Sequence, residues 1–368
     1  MIRQFLCALA ISGAVALVSL SQPPVLAQQP TEPWRFVVSG DSRNCGNVVM
    51  PAIAASATAA QAAFYWHLGD LRFILNFDED MQHDTQRPGP DPMTVISYLS
   101  GAWPDFKENQ IGPFETMPFY LGIGNHETIF DPMFGGARAA FVREFREWLD
   151  SPVLRQQRLK DDPDDNEVKT YYRWVQRGVA FFYLDNATSD MFDDRQMEWF
   201  NRLVEADVAD PAITTIVVGM HSALPDSISF DHSMSGFPAG VTSGRQVYSK
   251  LLEAETAGKK VYILASHLHA YIDGVFNTPY WRENGGVLPG WVVGTAGAHR
   301  VNLPPEASDA NEALANVYGS LHATVQPDGT IQFDFQQVDE VDVPAGVVER
   351  YTSEFVHYCF AENSEATD

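Results

Sequence analysis

The stretch Pro118-Phe119-Tyr120-Leu121-Gly122-Ile123-Gly124-Asn125-His126-Glu127 decides the fold. A short run of apolar residues, rich in aromatic and β-branched types, predicts a buried strand. The three polar residues after the glycine fall where that strand ends. The same pattern recurs along the chain. Residues 35–39 precede Gly40-Asp41, residues 63–68 precede Gly69-Asp70, and residues 180–184 precede Asp185. Residues 214–219 precede His221, residues 261–265 precede His267, and residues 291–293 precede Gly294. Helical patterns lie between several of these runs, at residues 48–63, 139–149, 194–204 and 244–256. Strands alternating with helices predict a layered α/β domain with helices outside the sheets. Pro327-Asp328-Gly329 sits between two strand-like segments and predicts a hairpin, so the end of the domain should be antiparallel.

Two segments interrupt the alternation. Residues 73–118 form a long insertion that includes His83, and residues 226–246 form a Ser/Gly-rich one that includes His232. Long loops of this kind often serve as lids or pocket walls. No internal repeat or linker divides the rest, so one domain is expected over residues 34–340, followed by a C-terminal extension at residues 341–368.

The N-terminus begins with a basic Met1-Ile2-Arg3, continues through an apolar run at residues 5–20, and reaches Val25-Leu26-Ala27. Basic, apolar and small-residue parts in that order predict a secretory signal peptide over residues 1–27. The apolar run is short for a membrane span. The mature chain is therefore expected in the periplasm or outside the cell, with no stable membrane anchor. Export would permit a disulfide between Cys45 and Cys359, though two buried free thiols fit the sequence as well. The net charge of −24 disfavours nucleic acid as a partner. Such an acidic chain needs local positive charge to hold an anion, and metal ions could supply it.

Metal-binding residue types stand at five of the strand ends: Asp41, Asp70, Asn125, His221, and His267 with His269. A lone His is more often structural than a ligand. Six such residues on five strand ends point to one convergent site, since side chains meet at strand ends in α/β folds. His267 and His269 are two apart and face the same side of an extended segment. Oxygen and imidazole donors without cysteine suit Zn, Mn or Fe.

The ordered blocks Gly40-Asp41-Ser42-Arg43, Gly69-Asp70, Gly124-Asn125-His126-Glu127, Gly219-Met220-His221 and Ser266-His267-Leu268-His269 resemble those of calcineurin-like metallophosphoesterases, which include the purple acid phosphatases. The resemblance implies a four-layer α/β/β/α sandwich of two mixed sheets flanked by helices. It implies that Asp70 bridges two metals, that Asn125, His221 and His267 complete one site, and that Asp41 and His269 belong to the other. It gives His126 a hydrogen bond to the substrate and a part in protonating the leaving group. The activity implied is hydrolysis of a phosphomonoester or phosphodiester of a small molecule. The alternative is a degenerate relative that binds a phosphorylated ligand without cleaving it.

The resemblance fails at two positions. Where the family's first block has a metal-ligating His, this chain has Arg43. Where purple acid phosphatases have a ligating Tyr, it has Phe73. Neither side chain can ligate a cation. One or two ions are thus expected, and three readings are open. Water, His83 or His232 fills the gap; or the Asp41 ion is weak and Arg43 grips the phosphate as a catalytic residue; or the site has lost its chemistry. A plain salt bridge from Arg43 to Asp41 is a further use for that cation. Glu127 is expected to orient its loop, and His67 to play a structural part.

Overall fold

Asp41, Asp70 and Asn125 follow strands of one sheet, and His221, His267 and His269 follow strands of another. The computed structural model describes residues 32–129, 135–188 and 191–364. The expected signal peptide at residues 1–27 lies outside them. The strands are β1 (Trp34–Ser39), β2 (Tyr65–His67), β3 (Phe119–Leu121), β4 (Tyr172–Gln176), β5 (Val179–Leu184) and β6 (Thr215–Met220). Then come β7 (Lys260–Ala265), β8 (Tyr271–Asp273), β9 (Gly290–Val293), β10 (Glu312–Leu314), β11 (Tyr318–Val325) and β12 (Ile331–Val338). One sheet has the order β12-β11-β1-β2-β3, the other β10-β8-β9-β7-β6-β5-β4. In the first, β1, β2 and β3 are parallel; in the second, β5, β6, β7 and β9 are parallel. Antiparallel strands flank both sets, so each sheet is mixed.

The two sheets pack face to face over an aromatic core. Phe36 meets Phe181 edge-on at 5.3 Å, and Trp66 meets Trp174 at 5.2 Å. Such T-shaped contacts set the positive ring edge against the negative face. The outer face of the second sheet is covered by helices Asp194–Ala209 and Pro238–Thr256, whose Phe200, Val247 and Leu251 share its second core. Helix Gly46–Ala59 supplies Val49, Met50 and Ile53 to the first. The expected four layers are present. Strands covered on both sides should be apolar throughout, and β5 is buried at every position. The edge strand β12 instead alternates, with Ile331, Phe333 and Phe335 less exposed than Gln332, Asp334 and Gln336.

Several boundaries differ from the sequence reading. The helix expected over 139–149 breaks at Phe145 into Ala137–Glu144 and Arg146–Leu149. The helix expected from 244 starts at Pro238, so the second insertion is shorter than its composition implied. The first insertion is largely helical, with Glu79–His83 and Val95–Phe106. It is bolted to the body through the fully buried Arg72, which bonds Asp80, Asn47 and Asp105. Removing any one of these partners would leave a charge or a polar group buried and unpaired.

Residues beyond 340 carry helices Ala345–Tyr351 and Ser353–Ala361. Tyr351, Phe355 and Val356 pack with Val48 and with the Cys45–Cys359 disulfide, whose Cα atoms are 5.9 Å apart. The bond therefore ties the C-terminal helix to the loop that carries Asp41 and Arg43. A native disulfide of this kind contributes about 2–5 kcal/mol in small domains.

Candidate metal centre

Three of the six expected ligands, Asp41, Asp70 and His267, adopt φ values of 60°, 57° and 69°. Non-glycine residues seldom enter this left-handed region, and strain of this sort gathers at functional sites. Local contacts hold the three turns. Asp41 N–H donates to Gly69 O and Ser42 N–H to Asp70 O, each at 3.0 Å, which links the first two loops. His267 N–H donates to Asp41 Oδ2 at 2.7 Å, which links the two sheets. Gly124 is needed for close approach, because a Cβ there would overlap Asp70 Oδ1. Glu127 ties the second and third loops together, accepting from the N–H groups of Gly124, Asp70 and Leu71 at 2.7, 3.0 and 2.9 Å.

The structure brings Asp70, His221 and His267 together, with one ligand atom of each within 4.8 Å of the others. Asn125 joins them: its Oδ1 lies 2.8 Å from His221 Nε2. His221 Nδ1 faces the Leu68 carbonyl at 3.1 Å, so its hydrogen is committed there and Nε2 turns inward. A neutral His221 sets a lone pair toward the oxygens of Asn125 and Asp70, and a proton or a metal at that point would satisfy all three. Asp70 Oδ2 is buried and lacks a hydrogen-bond partner. Asp70 Oδ1 faces His221 Nε2 at 3.4 Å, and a carboxylate, an amide oxygen and two imidazoles that converge in this way fit one metal ion. Burial acts to raise the carboxyls of Asp41 and Asp70. The surrounding imidazoles, His221 foremost, outweigh it and hold both below the usual carboxylate range. Asn125 and His267 are partly exposed, so the group is open on one side.

Asp41 and His269 form the neighbouring pocket. Asp41 Oδ1 is 3.4 Å from His269 Nε2, and it too is buried without a partner. His269 Nδ1 donates to His299 O at 2.6 Å. Arg43 does not pair with Asp41. Its Nη2 lies 3.0 Å from His269 Nε2 and its Nε 3.7 Å from Asp70 Oδ2. Its guanidinium sits over the Phe73 ring at 4.9 Å.

His126 is placed by both ends. Its backbone N–H donates to Asp70 Oδ1 at 3.0 Å, and its Nδ1 donates to Phe73 O at 2.6 Å. Nε2 is left facing Asp70 Oδ2 at 3.8 Å. Burial pushes its imidazole down, partly offset by Asp70.

His83 is engaged elsewhere: its ring stacks on Phe355 at 4.4 Å, and its Nδ1 donates to Glu79 O. His232 lies with its ring 5.4 Å from that of His267. The sequence offered His232 as a filler beside Asp41; the structure sets it against His267. His299 acts through its carbonyl, a role that no side-chain pattern reveals. Asp185 receives Arg138 and Asn186 bonds Ser222, both as parts of the turn after β5.

His67 is fully buried. Gly69 N–H donates to its Nδ1, so its Nε2–H donates to Ser42 Oγ at 2.9 Å. Burial pushes its imidazole from 6.5 down to about 3. An unfolded chain takes up a proton as pH falls through 6.5, while folded His67 stays neutral until about 3. Stability is therefore lost progressively as pH drops across that window. In thermal melts, the fall in Tm from neutral to mildly acid pH should be shallower in His67→Gln than in the wild type. Identical slopes would refute this account.

No family model matches the chain, and no curated protein matches it in sequence. Solved structures do. PhoD aligns over 85% of this chain and 72% of its own, at 12% identity and a TM-score of 0.55. GAP50, the anchor in the inner membrane complex of Plasmodium, aligns over 83% and 85%, at 13% identity and a TM-score of 0.48. A dimetal phosphatase from Danio rerio aligns over 79% and 92%, at 8% identity and a TM-score of 0.42. Of these three, the PhoD likeness alone bears on the fold: the chain is similar to PhoD in the layout of its sheets and helices.

Proposed function

We propose that this protein is an exported, metal-dependent hydrolase of phosphate esters. The observation that carries this reading is the convergence of Asp70, His221 and His267, with Asn125 against His221 and His126 at the rim. Asp70, Asn125, His221 and His267 would hold the metal. When bound, it would neutralise phosphate charge and make a water nucleophilic near neutral pH. The chain's own residues would do the rest. Leu68 O orients His221, and Glu127 holds the loops of Asp70 and Asn125 in register. Phe73 O holds Nδ1–H of the His126 ring, and as the imidazolium, the form that the neighbouring Asp70 carboxylate favours, its Nε2–H would bond the ester oxygen and pass its proton to the leaving group. The Cys45–Cys359 disulfide supports an oxidising compartment, as the N-terminal segment does. The net charge of −24 supports a small substrate over nucleic acid.

The test is direct. Purified protein loaded with Mn, Zn or Fe should hydrolyse an aryl phosphate, and a chelator should abolish that activity. Folded, metal-loaded protein without turnover on aryl mono- and diesters would leave the reading of a phospho-ligand binder in its place. The Arg43 contact with His269 is what favours that second reading.

A further inference from the structure

We infer that the pocket of Asp41 and His269 takes the Arg43 guanidinium in place of a second metal ion. The centre then holds one ion and one fixed organic cation. This rests on the metal-dependent reading above and narrows it.

Four contacts carry the inference. First, His269 Nδ1–H is committed to the His299 carbonyl, so Nε2 offers a lone pair alone. Arg43 Nη2 donates to that lone pair at 3.0 Å. It is the same lone pair that a metal in this pocket would need. Second, Arg43 Nε lies 3.7 Å from Asp70 Oδ2, the oxygen that would otherwise face a second ion. Third, the guanidinium rests on the Phe73 ring, which gives a cation a favourable face and no donor atom. Fourth, the loop that carries Arg43 is pinned immediately beyond it. Asn44 N–H donates to Asp78 Oδ1 at 2.7 Å, and Cys45 is bonded to Cys359. Both anchors fix the backbone from which the Arg43 side chain extends into the pocket.

The donor set of this pocket does not fit a second ion. Asp41, His269 and a shared Asp70 Oδ2 make three donors at most, Arg43 and Phe73 supply none, and an always-protonated guanidinium set against two of the three repels a cation. It does fit a role for Arg43 toward the substrate. A guanidinium has five N–H donors in a fork that matches phosphate oxygens, and the bond to His269 uses one. Two carboxylates, one divalent ion and one guanidinium leave a formal charge of about +1 to receive a phosphate. The two departures in the sequence, Arg43 and Phe73, are on this view one device: the ring supports the cation that replaces the ion.

Metal stoichiometry decides the matter independently of turnover. The wild type, saturated with Mn and desalted, should retain one equivalent by elemental analysis. Its electron paramagnetic resonance spectrum should be that of an isolated ion. Arg43→His exchanges the cation for a lone pair and should raise retention to two equivalents with an exchange-coupled spectrum. A wild type that holds two coupled ions overturns the inference and leaves the hydrolase reading intact. An Arg43→His protein that stays at one equivalent also overturns it. A wild type that holds no ion removes the metal-dependent reading, and this inference falls with it. The wild-type measurement stands even where Arg43→His does not fold.

Discussion

Asp70→Asn is expected to release the bound metal and to lower phosphate-ester hydrolysis by about a thousandfold. Removing a metal's stabilisation of transition-state charge costs several kcal/mol, and each 1.4 kcal/mol is tenfold in rate. The substitution keeps the shape of the side chain. Its Oδ1 can still accept the His126 N–H, so the third loop should stay in place. What disappears is the charge that His221, His126 and Arg43 surround. Those groups outweigh burial and hold the carboxyl below the usual range, so the ionised form also favours the metal-free fold at neutral pH. In chelator, Asp70→Asn should therefore melt below the wild type, and with metal present it should also lack the wild type's gain in Tm. Elemental analysis, rate assays and paired melts check the three statements. Retention of both metal and rate in Asp70→Asn would end the metal reading of this site.

The burial that shapes the site also governs what the sequence could and could not tell. The strand runs were legible because both faces of each central strand are covered, so β1, β5, β6 and β7 read as apolar blocks. Their polar terminators were legible for the same reason: nothing else interrupts an apolar block so abruptly. The short strands β10, at the edge of the second sheet, and β8, next to it, have three residues each and no comparable signal. The helical insertion escaped because its order depends on a buried polar network around Arg72, formed by residues far apart in sequence. The disulfide stood open until the C-terminal helix was seen to pack on Val48. Arg43 shows the same limit within the site. Its charge and its lack of a lone pair are properties of the residue type. Its choice of Asp70 and His269 over Asp41 depends on the tautomer of His269, and that is set by a backbone carbonyl thirty residues away.

His126→Ala is expected to lower kcat by about 10²–10⁴, the usual worth of a positioned general acid, while leaving metal content unchanged. Retention follows from the geometry. His126 meets Asp70 through its backbone N–H, which alanine keeps. Its ring is held by Phe73 O rather than by any of the four proposed ligands. The leaving group should tune the loss. An aryl oxygen departs without much help, so His126→Ala should be mild on a nitrophenyl ester. An alkyl oxygen needs the proton, so the loss there should approach the upper end of the range. Equal losses on both esters would assign the ring to phosphate binding instead. A binder offers neither pattern, because it has no rate to lose. The leaving-group series thus separates three roles for one side chain with Nε2 turned to the site: proton donor, phosphate contact, or part of a pocket that only holds its ligand.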